Sequence, residues 1–232
     1  MLFSLTLNAQ ETITFPSEDG LLITADIYEV NNGLAPVMVL CHQARFSRGE
    51  YQKTVVKLQK MGFTCMAIDQ RSGDKVSGVI NETAKRAKEK GLPQRYIDAE
   101  PDIVAAVNEA YNRWGRKVIL VGSSYSASLV LKIAAESDKV EAVISFSPGE
   151  YFEPEDLIVS IAIEKLDKYS FVTSSKKEVN ATKGILHKTT SDKITHFIPK
   201  NDGIHGSRAL WRSTPNNEEY WDALRRFLGR FR

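Results

Sequence analysis

Apolar residues follow two alternating patterns in most of this chain. From residue 35 onward, short and nearly continuous apolar runs are typical of strands buried on both faces of a sheet. These runs lie at 36–42, 63–69, 117–123 and 140–148. Segments with apolar residues at helical spacing separate or follow them, at 51–62, 99–115, 127–137, 153–166 and 216–231. This alternation predicts a mostly parallel sheet with helices on both faces.

The start of the chain has a different pattern. Residues 11–17 and 21–30 are rich in β-formers, and Glu18-Asp19-Gly20 between them predicts an antiparallel hairpin. No linker or change in composition divides the remainder, so we predict a single α/β domain over residues 12–232. Residues 70–101 form a long polar excursion, which we interpret as a partly helical cover over a site.

Composition excludes several classes of protein. The chain has 232 residues, of which 42% are hydrophobic and 26% charged, a balance that supports a sizeable core and argues against disorder. Lys and Arg number 31 and Asp and Glu 29, for a net charge of +2, which disfavours a nucleic-acid partner. No apolar run approaches the ~20 residues of a membrane-spanning helix. The two cysteines, Cys41 and Cys65, cannot form a disulfide framework.

Residues 1–11 are interpreted either as an N-terminal arm or as the remnant of a signal peptide. The stretch MLFSLTLNAQ is apolar and ends in small and polar residues, as a secretory signal does, but it is short and has no positively charged beginning. We therefore expect a secreted or periplasmic protein, with a cytoplasmic location as the alternative.

The strongest chemical feature is Gly122-Ser123-Ser124-Tyr125-Ser126, where a predicted strand meets a predicted helix. A strand that turns directly into a helix presents the middle residue, Ser124, at the tip of a tight bend. The helix that follows supplies free backbone amides and a positive dipole end, which suit a developing oxyanion.

This junction resembles the nucleophile elbow G-x-S-x-G of the α/β-hydrolase family, with Ser126 in place of the second glycine. The resemblance extends over roughly residues 12–232 in element order and is greatest to the dienelactone-hydrolase-like and small serine esterase branch. It implies the α/β-hydrolase fold, a catalytic triad with Ser124 as the nucleophile, and a carboxylesterase-like activity.

The family's order of Ser, acid and His implies the other two triad members. His205 lies in a glycine-bracketed loop directly after the last predicted strand, where the family carries its catalytic base. Glu178 is the acid available after the preceding strand, and Glu150 is the alternative acid. His42 is expected to shape its loop, and His187 and His196 are expected to be structural or surface residues.

The loop that begins at Cys41-His42-Gln43 resembles the HG-type oxyanion loop, with Gln43 in place of the usual glycine. By family position, the backbone amides of Ala44 and Tyr125 would form the oxyanion hole. Possible substrate-binding side chains follow strands at the same edge of the sheet. They are Gln43, Arg45 and Arg71.

The resulting prediction is a serine hydrolase that cleaves a carboxylic ester or related acyl substrate through an acyl-enzyme, without a metal or cofactor. Two alternatives remain open. One is a binding protein with a degenerate site, suggested by Ser126 and the lysine-rich acid loop. The other is an acyltransferase or peptidase that uses the same triad. The expected partner is a small-molecule acyl substrate, and the sequence indicates no oligomeric state.

Overall fold

A central eight-stranded sheet organises residues 10–232, the part of the chain that the structure, a computed structural model, describes. The strands are β1 (Glu11–Pro16), β2 (Leu22–Tyr28), β3 (Val37–Cys41), β4 (Thr64–Ile68), β5 (Lys75–Val76), β6 (Val79–Ile80), β7 (Val118–Ser123), β8 (Val140–Phe146), β9 (Tyr169–Thr173) and β10 (Ile194–Phe197). The helices are α1 (Gln52–Lys60), α2 (Glu82–Glu89), α3 (Glu100–Trp114), α4 (Tyr125–Glu136), α5 (Val159–Ala162), α6 (Val179–Leu186) and α7 (Asn217–Leu228).

The strand order in the sheet is β1-β2-β4-β3-β7-β8-β9-β10. The pairs β1–β2 and β2–β4 are antiparallel, and every other neighbouring pair is parallel. Strands β5 and β6 form a separate small hairpin. Because the carboxyl ends of parallel strands meet at one edge, the loops after β3, β4, β7, β8, β9 and β10 share that edge. This confirms the predicted mixed sheet with its N-terminal antiparallel hairpin.

Side chains from each central strand enter two hydrophobic cores, one on each face of the sheet. On β3, Val37 and Val39 lie in the core that α3 and α4 cover, whereas Met38 and Leu40 lie in the core that α1 and α7 cover. All five residues of β3 are buried, as are all six of β7. Burial on both faces explains why these strands are continuous apolar runs.

The interpretation of residues 70–101 as partly helical is consistent with the structure, which has the β5–β6 hairpin and α2 in this segment. Asn81 caps α2, accepting a hydrogen bond from Ala84 N at 2.7 Å. The segment is called the cover segment below.

One predicted helix is much shorter than expected. The pattern of residues 153–166 suggested a helix over most of that range, but α5 is a single turn. Its beginning is set by Glu150, whose carboxylate accepts hydrogen bonds from Val159 N at 2.6 Å and Ser160 N at 2.9 Å. A carboxylate at this point satisfies the first free amides of the helix, so the chain before Val159 stays irregular.

Residues 1–9, on which the expectation of export depends, lie outside the described residues. Within residues 10–232, none of the helices has the length and apolar character needed to cross a bilayer.

Candidate active site

The turn between β7 and α4 holds Ser124 in a backbone conformation that residues with a Cβ rarely adopt. Its φ is 62° and its ψ is −125°. Gly122 permits this turn, because a Cβ at that position would lie 2.5 Å from the carbonyl oxygen of Ser126. The sequence therefore folds here into a sharp strand-to-helix bend with Ser124 at its tip, next to the unpaired amides at the start of α4.

Ser126 fits the bend through its hydroxyl group. Its Oγ accepts a hydrogen bond from Ser123 N at 2.9 Å and donates one to the Cys41 carbonyl at 2.9 Å. The hydroxyl thus pairs with backbone groups on both sides and ties the bend to the end of β3. A serine at this position is therefore compatible with the sharp strand-to-helix bend.

Glu178 and His205 are hydrogen-bonded to each other through Oε1 and Nδ1. The other carboxylate oxygen of Glu178 accepts hydrogen bonds from the Ser175 hydroxyl at 2.6 Å and the Ser147 hydroxyl at 2.9 Å. Burial alone would raise the pKa of Glu178, but the hydrogen bonds from His205 and the serines outweigh it and lower the pKa to about 2. Because an ionised carboxylate can only accept, this network assigns the imidazole proton to Nδ1 and leaves Nε2 as the basic nitrogen.

Two backbone amides of the loop that carries His205 bind serine hydroxyls, one beside the Ser124 turn and one after β8. Ser207 N donates to Ser123 Oγ at 2.8 Å, and Gly206 N donates to Ser147 Oγ at 3.0 Å. Gly206 has a φ of 73°, and a Cβ there would lie 2.6 Å from Ser123 Oγ. The residues that follow His205 therefore contact the residue that precedes Ser124.

Glu50 is a buried carboxylate that the sequence analysis did not single out. It is 1% exposed and accepts hydrogen bonds from Gln43 N at 2.7 Å, from Ser123 Oγ at 2.8 Å and from Ser207 Oγ at 2.5 Å. Burial raises the pKa of Glu50. Its carboxylate joins the loop after β3, the elbow and the His205 loop. The polar stretch in which Glu50 stands looks like a surface turn, so nothing local in the sequence marks it.

Ser147 is a second residue that the sequence analysis did not identify. It follows β8 with a φ of 57°. Its hydroxyl donates to Glu178 and accepts from Gly206 N, so it connects the acid to the His205 loop. A serine in an apolar run next to a proline gives no sequence signal for such a role.

The loop after β3 is held by Glu50 and contains a residue in the left-handed backbone region. The Gln43 amide is bound by Glu50, and Arg45 has a φ of 63°. Within residues 10–232, the Ala44 and Tyr125 amides have no protein acceptor. Both amides follow strands that end at the same edge of the sheet, so both remain available to an anion there.

His42 is buried, and both of its ring nitrogens have hydrogen-bond partners. Its Nδ1 is 2.8 Å from the Gln43 carbonyl, and its Nε2 accepts from Gln70 N at 3.0 Å. Burial lowers the pKa of His42 to about 4, so the ring is neutral. These contacts agree with the expected loop-shaping role.

The surroundings of Arg71 do not fit the expected substrate-binding role. Its guanidinium is bound at 2.6 Å by both Asp102 and Asp19, and its side chain is 3% exposed. These two carboxylates engage Nε, Nη1 and Nη2 of a guanidinium that is buried, so its charge is already balanced within the protein. The alternative acid Glu150 caps α5 and has both oxygens occupied there.

The two other proposed substrate-binding side chains have different surroundings. Arg45 is exposed within the loop after β3. Gln43 is 8% exposed, and its Oε1 points toward Gly206, where a Cβ would come within 2.5 Å of it. Within residues 10–232, this oxygen has no hydrogen-bond partner.

The described residues contain no group of three or more His, Cys, Asp or Glu side chains that could hold a metal ion. The groups that the structure brings to this edge of the sheet are the Ser124 hydroxyl, the Glu178-bound imidazole of His205 and the backbone amides of Ala44 and Tyr125.

Solved structures resemble the chain over nearly its whole length. An esterase of Pyrococcus furiosus has a TM-score of 0.73 at 16% identity, covering 96% of this chain and 92% of that one. A Klebsiella pneumoniae protein assigned as a dienelactone hydrolase has a TM-score of 0.68 at 15% identity, covering 97% and 99%. An acylaminoacyl peptidase of Pyrococcus horikoshii has a TM-score of 0.71 at 15% identity, covering 97% of this chain and 42% of its own.

No protein-family model matches the chain, and no curated protein matches it in sequence. The likeness to these structures, together with the strand order and the strand–serine–helix bend, shows that the chain has the α/β-hydrolase fold.

Proposed function

We propose that this protein is a serine hydrolase that cleaves carboxylic esters, with Ser124, His205 and Glu178 as its catalytic triad. The observation that carries the proposal is the acid-bound imidazole of His205 on a loop fastened to the strained turn of Ser124. Fold alone does not establish a reaction, so the argument depends on these residues.

In the proposed mechanism, His205 Nε2 takes the proton of the Ser124 hydroxyl as the oxygen attacks the ester carbonyl. The negative charge that develops on the carbonyl oxygen is bound by the Ala44 and Tyr125 amides. Glu178 keeps the proton on Nδ1 and stabilises the imidazolium that forms. His205 then protonates the leaving alcohol, and water hydrolyses the acyl-enzyme by the same steps in the second half of the reaction.

The test is Ser124→Ala, assayed with p-nitrophenyl acetate and with a fluorophosphonate probe. We expect the variant to fold, to lose ester hydrolysis and to lose labelling. Ser137→Ala, at the other end of α4, is the matched control and should behave as wild type. Wild-type turnover by Ser124→Ala would reject the nucleophile, and absence of labelling in the native protein would favour the degenerate binding site.

Acyl transfer and amide cleavage are further possibilities, because they would use the same acyl-enzyme. The acylaminoacyl peptidase among the structural neighbours favours amides as the second substrate class to assay. Release of the amine from an acylaminoacyl p-nitroanilide at a rate comparable to ester cleavage would support a peptidase.

A further inference from the structure

A cavity of about 320 Å³ lies between the cover segment and the loop that follows β8. Its apolar wall consists of Tyr96 and Ile97 from the cover segment and of Tyr151 and Phe152 from the other side. The volume is near the lower end of the roughly 300–1,000 Å³ typical of small-molecule pockets. The cavity therefore suits a group of one or two rings, and most of its apolar wall is aromatic.

Two contacts place this cavity beside the proposed reaction centre. The ring of Tyr96 is stacked on the ring of Tyr125, with centroids 4.7 Å apart and planes 15° apart. The Tyr151 hydroxyl donates to the Ser147 carbonyl at 2.8 Å, and the hydroxyl of the same serine is bound to Glu178. One wall thus rests on the residue after the nucleophile, and the opposite wall is anchored next to the triad acid.

Tyr151 presents a neutral phenol to the cavity. Burial and the charge of Glu178 raise its pKa to about 12, and the neighbouring Ser124 hydroxyl only partly opposes this shift. The wall residue that neighbours the Ser124 hydroxyl is therefore uncharged.

The charged residues at the rim disfavour an anion. The guanidinium of Arg95 lies 2.9 Å from Asp156 and 3.1 Å from Asp98, so its positive charge is already balanced by carboxylates. Glu153 adds a further negative charge to the lining. A ligand that carries a carboxylate at this depth would meet more negative than positive charge.

We propose that this cavity is the substrate-recognition slot and that it selects esters carrying a planar, uncharged aromatic ring. The inference rests on the proposed hydrolase function. Aromatic rings prefer offset-stacked or edge-on neighbours 4.5–7 Å away, and the rings of Tyr96, Tyr151 and Phe152 offer such neighbours on two sides. The paired Arg95 and the acidic rim select against carboxylated rings.

The experiment compares matched esters by pH-stat titration. Methyl phenylacetate is measured against methyl hexanoate, and benzyl acetate against hexyl acetate, so that the ring is tested on either side of the ester bond. We expect kcat/KM to be about 10-fold or more higher for the ring ester in at least one pair. A 4-carboxyl group on the preferred ring should remove that advantage.

Phe152→Leu is the diagnostic variant, because it keeps an apolar side chain and removes the ring. It should bring the ratio of kcat/KM for ring esters to that for alkyl esters close to one. Tyr96→Leu is a second test in case Phe152→Leu folds poorly, because Tyr96 is partly exposed. Tyr169→Leu, which removes an exposed aromatic side chain from β9, is the matched control and should keep the native ratio.

Each outcome decides a separate claim. If the protein hydrolyses these esters with equal kcat/KM for the ring and alkyl members of both pairs, the proposed aromatic selectivity of the cavity is rejected. The hydrolase proposal is then unaffected. A ring preference that survives both Phe152→Leu and Tyr96→Leu would also overturn it. Failure to hydrolyse any ester, together with no fluorophosphonate label on Ser124, would reject the hydrolase function and the slot together.

Discussion

Two histidines lie in loops at the same edge of the sheet, and they differ in what their rings leave free. His42 is fully buried, both of its ring nitrogens have protein partners, and burial lowers its pKa to about 4. His205 has its Nδ1 bound to Glu178 while its side chain remains 35% exposed. A general base needs one nitrogen held by an acid and another that can reach the substrate. The two histidines therefore differ in the partners of their ring nitrogens and in their exposure, and not in the edge of the sheet at which they lie.

The largest expected effect comes from removing the exposed imidazole. His205→Ala should lower kcat for p-nitrophenyl acetate by about 10⁶-fold, because loss of the base disables the triad as a unit. Steady-state kinetics with active-site titration would measure this. His187→Ala is the control, since its ring is exposed and hydrogen-bonded to the nearby Gly184 carbonyl at 2.6 Å. A kcat for His205→Ala within 10-fold of the wild-type value would show that His205 is not the general base.

The second largest effect is expected from changing Glu178, the carboxylate bound to His205 Nδ1. Glu178→Gln should lower kcat by about 10⁴-fold, because an amide can donate to Nδ1 and so favours the wrong tautomer. Glu150→Gln is a matched change of the alternative acid and should leave kcat within about threefold. If Glu150→Gln were the more damaging of the two, the acid would be misassigned.

A smaller effect is expected where a buried acid holds the site together without touching the substrate. Glu50→Gln should lower kcat by about 10²-fold and leave KM nearly unchanged. The amide N–H group of the new side chain would face hydrogen-bond donors, and the loop after β3 would lose a hydrogen bond that holds it in place.

Asp26→Asn is the control for Glu50→Gln, since this 1% exposed carboxylate is bound by Arg48 on the antiparallel side of the sheet. It should reduce the melting temperature with little change in kcat. Equal losses of kcat in the two variants would mean that Glu50 acts only through stability.

The smallest expected effect concerns His42 and appears in stability. The pKa of His42 is about 4 in the folded protein, below the usual 6.5. Between these two pH values the unfolded chain binds a proton on this ring and the folded chain does not. The contribution of neutral His42 to the free energy of unfolding is therefore complete above pH 6.5. It falls by about 3 kcal/mol as the pH drops from there to about 4. In His42→Gln this loss should be absent, as measured by denaturant unfolding at several pH values. An unchanged pH dependence in the variant would assign the proton uptake to other groups.

The sheet was largely predictable from the sequence, because buried parallel strands need continuous apolar runs. The runs around Met38, Ala67 and Leu120 identify three central strands without any tertiary information. The extent of α5 was not predictable, because Glu150 caps it from a preceding loop. A cap supplied from nine residues away leaves no local pattern.

For the site, Ser124 and His205 could be selected because each stands in a local context with a physical reason, a strand–helix bend and a glycine-bracketed loop. Arg71 was misjudged because its partners Asp102 and Asp19 lie far away in sequence. Glu50 and Ser147 were missed for the same reason, since their roles exist only once separate loops meet.

The most direct test of the central claim is mass-spectrometric mapping of fluorophosphonate labelling on the native protein and on His205→Ala. If His205 activates the strained Ser124, the native protein should carry one label on Ser124 and the variant should carry essentially none in the same time. Absence of label from the native protein, or equal labelling of both proteins, would contradict it.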